Sequence, residues 1–391
     1  MRLGLRRLAG TLAALAVAVG AAVGIAIWVA GPPGARLASG GPGHGASRTA
    51  PAPGSPSARG SSSAPASRPP RRAAGHTPRP SHSARPTPTP HSPPPPPGGL
   101  PGNELTPPNG TLFGAYVEPS GDSLKAAVVR LEQALGRTLA INEIYIHFTW
   151  PMPLSLARWD LNRGTIPLIS WGKVSAAQVA SGAYDSLIRQ RALQLKSLRR
   201  PVLLRWFAEM DGARNAYLAG PPATYIAAWR RIHAIFDRVG ATNVSWVWCP
   251  NAGGFASGRA QRYYPGAQYV NWIGADGYNW GPDRPRTPWR TFGAIFSAFY
   301  RWGRATGKPL IVGEYGTVEG RPGAKARWFR QAAAVLSTTM RAIRAVVYFD
   351  SLHEDFGTLW FNWRVTSSAS SLAAFRAFAR TPYFAADPPV A

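Results

Sequence analysis

The chain has 391 residues, of which 45% are hydrophobic and 11% aromatic, enough for one large domain or two ordinary ones with a substantial core. Its formal net charge is +26, from 44 Lys and Arg against 18 Asp and Glu, and the basic residues are nearly all Arg. The single cysteine, Cys249, excludes an intramolecular disulfide and a cysteine-held metal cluster, and its apolar surroundings mark it as a small buried hydrophobe. Such charge first suggests nucleic acid. However, 11 of the basic residues precede Glu104, and the remainder carries no helix-turn-helix, zinc-finger or RNA-binding signature. No nucleic-acid partner is expected, and attraction to an anionic cell-surface polymer or to lipid head groups is the simpler meaning.

Residues 1–7 form a basic start with Arg2, Arg6 and Arg7, and residues 8–30 follow without a charge, long enough to cross a bilayer. This is an export signal or a membrane anchor. Cleavage after Ala30 places Trp28, and cleavage after Ala38 places Arg36, where a small residue is needed, so the pattern favours an uncleaved anchor with a cytoplasmic N-terminus. Either way the remainder is expected outside the cell. Residues 31–110 are rich in Pro, Ser, Ala and Gly, and from Pro32 onward they lack Phe, Trp, Tyr, Ile and Val. This tract cannot bury a core and is expected to be a disordered linker, extended where Pro93 to Pro97 run together. Its histidines, His44, His76, His82 and His91, are too scattered to predict a metal site.

From Thr111 the composition changes, and strand-like and helix-like segments alternate to residue 383, before a short tail at 384–391. Strands are predicted at 112–117, 143–148, 166–171, 202–207, 244–249, 272–276, 310–314 and 345–349, with amphipathic helices between them. Gly240, Gly307 and the pair Pro221 and Pro222 punctuate helix ends. Eight such repeats in residues 111–383 fit the α/β class as a closed (β/α)8 TIM barrel, for which about 250 residues is usual. The rival is an open doubly wound sheet, and no glycine-rich phosphate loop follows the first strand to favour its nucleotide-binding form.

Barrel sites lie at the C-terminal ends of the strands. Collecting those ends gives Glu118, His147 with Trp150, Trp171, Trp206 with Glu209, Trp248 with Asn251, Asp276 with Tyr278 and Trp280, Glu314, and Phe349 with Asp350. Sugar rings present flat C–H faces to indoles and phenols, while Asn, Asp and His take hydroxyls, so the set reads as an aromatic-lined polysaccharide cleft. About half of the 15 tryptophans are instead expected to pack helices, among them Trp229, Trp289, Trp302 and Trp328. Glu209, walled by Trp206 and Phe207, is expected to carry a raised pKa, as a general acid needs. Glu314 ends a second strand of the same plan, and two carboxylates at two strand ends point to glycoside hydrolysis. Glu132 and Glu354 are read as surface or salt-bridged residues, and Glu143 as a strand-start residue.

The succession Pro201-Val202-Leu203-Leu204-Arg205 through Glu209-Met210-Asp211-Gly212, then Trp246 to Asn251, Tyr263-Tyr264-Pro265-Gly266, Asp276 to Gly281 and Gly313-Glu314-Tyr315-Gly316, resembles glycoside hydrolase family 26. Members are mostly endo-acting β-mannanases, with some β-1,3/1,4-glucanases, on (β/α)8 barrels. The resemblance spans about residues 111–380. It implies Glu209 as acid/base, Glu314 as nucleophile, Tyr278 as a hydrogen-bond donor to that nucleophile, and no metal or organic cofactor. Arg205 is expected to keep Glu314 ionised. Arg205, Trp206, Tyr278, Trp280, Trp171, Trp248, Asn251, Asp276, His147 and Phe349 are the expected substrate-binding set, with a monomer acting on a polysaccharide. The family usually carries His immediately before the acid/base Glu, against the sugar, where this chain has Ala208. His147 stands at the neighbouring strand end as a replacement or an ordinary buried histidine. Two rivals remain: a surface-displayed glycan-binding barrel without activity, and electrostatic adhesion through the basic linker.

Overall fold

The computed structural model describes residues 105–355 and 359–386. The segments expected as a basic start, signal or anchor, and most of the linker, lie outside the described residues. Eight parallel strands close into a barrel in sequential order: β1 (Leu112–Val117), β2 (Ile141–Ile146), β3 (Ile166–Trp171), β4 (Val202–Trp206), β5 (Val244–Trp248), β6 (Trp272–Asn279), β7 (Leu310–Thr317) and β8 (Ile343–Asp350). Around it run α1 (Leu124–Leu135), α2 (Leu154–Asn162), α3 (Ala176–Ser181), α4 (Asp185–Lys196), α5 (Ala216–Ala219), α6 (Pro222–Val239), α7 (Ala252–Ala256), α8 (Phe292–Arg304), α9 (Ala324–Thr338) and α10 (Ala369–Arg380). A hairpin, β9 (Leu352–Asp355) and β10 (Leu359–Asn362), follows β8. Among the described residues no helix is long and apolar enough to cross a membrane.

Helix boundaries follow capping chemistry. Ser123, Ser175 and Thr291 accept backbone N–H groups at the starts of α1, α3 and α8, Pro222 opens α6, and Gly136 and Gly240 close α1 and α6 in the left-handed region. Strand β2 begins two residues earlier than the sequence suggests. Asn142 interrupts the apolar run, but it faces the helical layer, where its amide donates to the buried carboxylate of Asp160 at 3.0 and 3.1 Å. Glu143 therefore lies inside the strand.

Side chains alternate across a strand, so each strand feeds two cores. On β4, Leu203 joins an inner cluster with Leu112, Leu168, Val247, Trp272 and Ile311, while Val202 and Leu204 join the layer beneath the helices. The next inward position is Arg205, and Trp206 turns outward. Trp206 stacks on Tyr225 at 5.5 Å and touches Trp229 of α6; Trp171 stacks on Phe148 at 4.6 Å; Trp248 meets Tyr264 at 5.1 Å and Trp302 at 5.8 Å. All three strand indoles are fully buried. The expectation that they form sugar platforms is corrected here, because strand parity points them into the helical layer. Trp289 departs the other way: it precedes α8 on a loop and is 36% exposed. Leu105 is buried in the inner cluster at the N-terminal ends of the strands, so packing begins before Thr111.

Replacing Trp206 with Ala is expected to cost about 3–5 kcal/mol of stability, read by urea unfolding, while leaving glycan affinity of the folded protein unchanged. A variant of native stability with lost affinity would return Trp206 to the cleft.

Candidate active site

The upper half of the barrel interior is polar, and it is organised by Arg205. Its guanidinium is fully buried and reaches Glu143 Oε1 at 2.5 Å, Asp276 Oδ1 at 2.9 Å and Glu314 Oε1 at 2.5 Å. Arg205 Nε also donates to Ser170 Oγ at 2.8 Å, and Ser170 Oγ donates to Glu143 Oε1 at 2.6 Å. Pairing of Tyr145 with Ser170, and of Ser170 with Arg205, sets these side chains at one level of the barrel.

One positive charge cannot neutralise three carboxylates in a buried site. Burial therefore favours the neutral form most where hydrogen bonding to the carboxylate is poorest. Glu143 Oε2 and Asp276 Oδ2 are buried and have no donor. Burial pushes Glu143 up to about 8 against the opposing pull of Arg205, and burial likewise raises Asp276 well above the usual carboxylate range. Glu314 is treated differently. Burial raises it too, but Arg205 and the phenols of Tyr145, at 2.6 Å from Oε1, and Tyr278, at 2.5 Å from Oε2, outweigh that cost and hold it below its ordinary value.

Glu314 reaches the interior through a bulge. Ala275 pairs with Val312 and Asp276 with Glu314, which leaves Gly313 as the extra residue on β7. Ile311 already faces inward; strict alternation would send Glu314 into the helical layer, and the bulge reverses that. Only glycine fits there, since an added Cβ would lie 2.7 Å from Cys249 Sγ, 2.8 Å from Asp276 Oδ1 and 2.9 Å from Arg205 Nη1.

Glu209 lies just beyond β4, with its backbone in the left-handed region at φ 57°, and Phe207 shares that region at φ 50°. Non-glycine residues held there are strained and need tight anchoring. Glu209 N–H donates to Cys249 O at 2.8 Å, and Glu209 O accepts from Gly212 N–H at 3.0 Å and Asn215 Nδ2 at 2.8 Å. Asp211 fixes the neighbouring loop by accepting from Asn251 N–H and Nδ2. Burial raises Glu209 to about 7, partly opposed by the charge of Lys173 and reinforced by Glu314.

The sequence profile of glycosyl hydrolase family 26 matches residues 173–309. Endoglucanase H of Acetivibrio thermocellus is 32% identical over 284 residues, which cover 68% of this chain and 30% of that protein. A β-1,3-xylanase of a Vibrio species is 29% identical over 147 residues, 35% of this chain and 28% of its own length. The chain belongs to glycosyl hydrolase family 26. It spans about a third of the length of these relatives. The barrel also resembles that of a family 26 endo-β-1,4-mannanase catalytic domain from Bacillus sp. JAMB-750, with TM-score 0.54 and 18% identity over 71% of this chain and 88% of that one. A family 26 β-mannanase from Bacteroides ovatus gives TM-score 0.53 and 14% identity over 71% and 90%. Those two likenesses concern the fold.

Within this family 26 barrel, the expected site residues divide. Tyr278, Trp280 and Phe349 are partly buried and pack against the buried Trp363 and Phe361: Tyr278 lies 5.2 Å from Trp280 and 5.0 Å from Trp363, and Phe349 stacks on Tyr116 at 5.1 Å. Asn251 sits at the loop joined to Asp211, half-buried. His147 is exposed at the end of β2, 5.9 Å from the ring of Trp150, so it is not a buried core histidine. Arg205 and Asp276, expected to touch substrate, are corrected: at 0% and 2% exposure they reach no sugar and act only through Glu314. The strand-end acids Glu118 and Asp350 anchor the hairpin region instead, accepting from Leu352 N–H and Val365 N–H. Glu143, Tyr145, Ser170 and Lys173 were missed. Counting inward positions on β2 and β3 at the level of Arg205 finds the first three; nothing in the sequence singles out Lys173.

Glu143→Gln, which copies the neutral acid, should leave the fold intact, whereas Arg205→Met should destabilise it by about 3–5 kcal/mol. A raised folded-state pKa stabilises fully below the unfolded value of about 4.3 and loses that contribution as pH rises towards 8. Relative to wild type, Glu143→Gln should therefore gain stability across that window in urea titrations. A pH-independent difference would show that Glu143 is already ionised.

Proposed function

We propose that the chain is a retaining glycoside hydrolase that cleaves internal β-linkages of a polysaccharide by double displacement. The observation carrying this is the opposite treatment of two carboxyls at the barrel mouth. Glu209 is raised to about 7, while Glu314 is held low by Arg205, Tyr145 and Tyr278. A proton donor and an anionic nucleophile are the pair that retention requires.

In the first step Glu209 protonates the leaving oxygen as Glu314 attacks the anomeric carbon, giving a covalent glycosyl-enzyme. Loss of negative charge on Glu314 then lowers the pKa of Glu209, since Glu314 is one of the groups that raises it. Glu209 can thus take a proton from the water that attacks the anomeric carbon and releases the sugar from Glu314. Bond making and proton transfer are coupled through the field between the two acids.

A β-glucan or β-mannan is the substrate class we favour. Support comes from the names of the relatives, an endoglucanase and β-mannanases, and from aromatic rings on the loops after the strands. Trp150 follows β2, Tyr217 follows β4 and Trp360 lies on the hairpin after β8; they are 53%, 68% and 60% exposed. Large rings exposed together at one rim suit stacking against pyranose faces. We further place the enzyme outside the cytoplasm, on the strength of the basic start and uncharged run at residues 1–30.

Glu209→Gln and Glu314→Gln, assayed on lichenan, mannan and cellulose, should each lose at least about 1000-fold in kcat/KM, the range seen when residues acting as a unit are removed. Full hydrolysis by either variant ends the assignment. Proton NMR of early products should show the β-anomer first, and inversion would refute double displacement. The wild-type profile of kcat/KM against pH should fall above about 7, as free Glu209 loses its proton, and on the acid side only below the ordinary carboxylate range, as Glu314 gains one. An alkaline limb that stays at the same pH in Glu209→Gln would belong to another group.

A further inference from the structure

At the end of the barrel opposite the carboxylates, the chain entering at Thr106, Pro107 and Pro108 crosses the starts of β7 and β8. It leaves a cavity of about 450 Å3, walled by Lys308, Arg341 and Arg344. A second cavity of about 460 Å3 adjoins it and shares Arg341 and Arg344. The residues lining the two include three cations and no acid. Among the described residues none of the three cations forms an ion pair.

The three cations differ in setting. Lys308 follows Gly307, which takes the left-handed region at φ 70°, and its backbone N–H donates to Thr306 Oγ1. Arg344 is the second residue of β8; one guanidinium nitrogen donates to Pro107 O, and its Nε is buried with no acceptor. Arg341 lies on the turn before β8 and is exposed. Half-burial removes water from Lys308 without supplying an acid, and this lowers its pKa. Three like charges around one concavity, one of them with an unused buried donor, leave an electrostatic deficit that an oxyanion removes.

We propose that this end of the barrel binds a phosphate-class oxyanion, coordinated by Lys308, Arg341 and Arg344. Guanidinium and ammonium groups at two strand starts line one concavity that a tetrahedral anion would fill, and the adjoining cavity leaves room for the group esterified to it. The phosphate can come from solution or from a lipid head group. A site here does not compete with the mouth, because the packed inner cluster of Leu112, Leu203, Trp272 and Ile311 separates the two ends.

The test uses the full-length chain and the double variant Lys308→Gln/Arg341→Gln, which leaves the Arg344 contact to Pro107 in place. Calorimetric titration with inorganic phosphate should show binding that the double variant weakens at least about tenfold, with glycan hydrolysis unchanged. Equal phosphate binding by both proteins, or none by either, overturns the proposal, since the other basic residues would then account for any binding. The source is read by sedimentation with phosphatidylglycerol vesicles. Sedimentation that falls in the double variant and is competed by inorganic phosphate identifies a head group. Sedimentation equal in both proteins, with the calorimetric difference intact, identifies a soluble phosphate at the same site. Loss of hydrolysis together with loss of phosphate binding would show that the two ends are not independent and would refute the separate site. Failure of the catalytic assignment would leave the phosphate titration unaffected.

Discussion

The charge of Arg205 is the constraint on which the interior depends. A guanidinium fully removed from water needs acceptors and an anion at close range, and this one has the carboxyls of Glu143, Asp276 and Glu314 on three different strands. The barrel closes around that need. Gly313 lacks a Cβ where one would collide with the guanidinium, and Ser170 bridges Arg205 to Glu143. Because three acids share one cation, their protonation states are not independent. The acid with two phenol donors is held below its ordinary range, and burial raises the two that each keep a buried oxygen without a donor. The selection of Glu314 is a consequence of hydrogen-bond supply.

Two backbone irregularities deliver the chemistry to the mouth. The bulge at Gly313 turns Glu314 inward, and the left-handed turn through Phe207 and Glu209 lifts the second acid out of β4. The left-handed turn is a costly conformation anchored by neighbours: Glu209 N–H to Cys249 O on one side, Gly212 N–H and Asn215 Nδ2 to Glu209 O on the other. Regular strands would place both acids by parity alone. The irregularities uncouple the position of each acid from the alternation that packs the two cores.

Much of the barrel was legible because each repeat pairs a β-branched, apolar run with an amphipathic stretch and a capped boundary. Strands β1 and β3 fall where the sequence puts them. The two acids were legible because each ends an apolar run beside glycine and aromatic residues. What proved misleading was the assumption that an aromatic residue at a strand end faces the cleft. Trp171, Trp206 and Trp248 occupy outward positions, and alternation from the inward Leu168, Leu203 and Val247 would have shown it. Of the exposed rings, Trp150 sits on an irregular loop, Tyr217 in the four-residue α5 and Trp360 on the four-residue β10, segments too short for a periodicity to be read. Glu143 was obscured because a carboxylate early in an apolar run looks like a strand start until its partner across two strands is known. Pairings of that kind depend on register and leave no local trace.

The charge balance separates the molecule's functions. A net charge of +26 steers anions, yet a neutral β-glycan gains nothing from it, and at the mouth the anionic Glu314 is already paired with Arg205. The basic excess therefore does not serve the hydrolytic step. Three of those cations, Lys308, Arg341 and Arg344, line two adjoining cavities at the lower end of the barrel with no acid among the lining residues. Since the chain enters the barrel at that same end through Leu105 and Thr106, an anion held there draws the entry segment and the strand starts towards one charge. Under this arrangement a charged surface would meet that end while the mouth stays open to an uncharged polymer, and the two recognitions differ in their response to salt: the first weakens as ions screen it, the second does not.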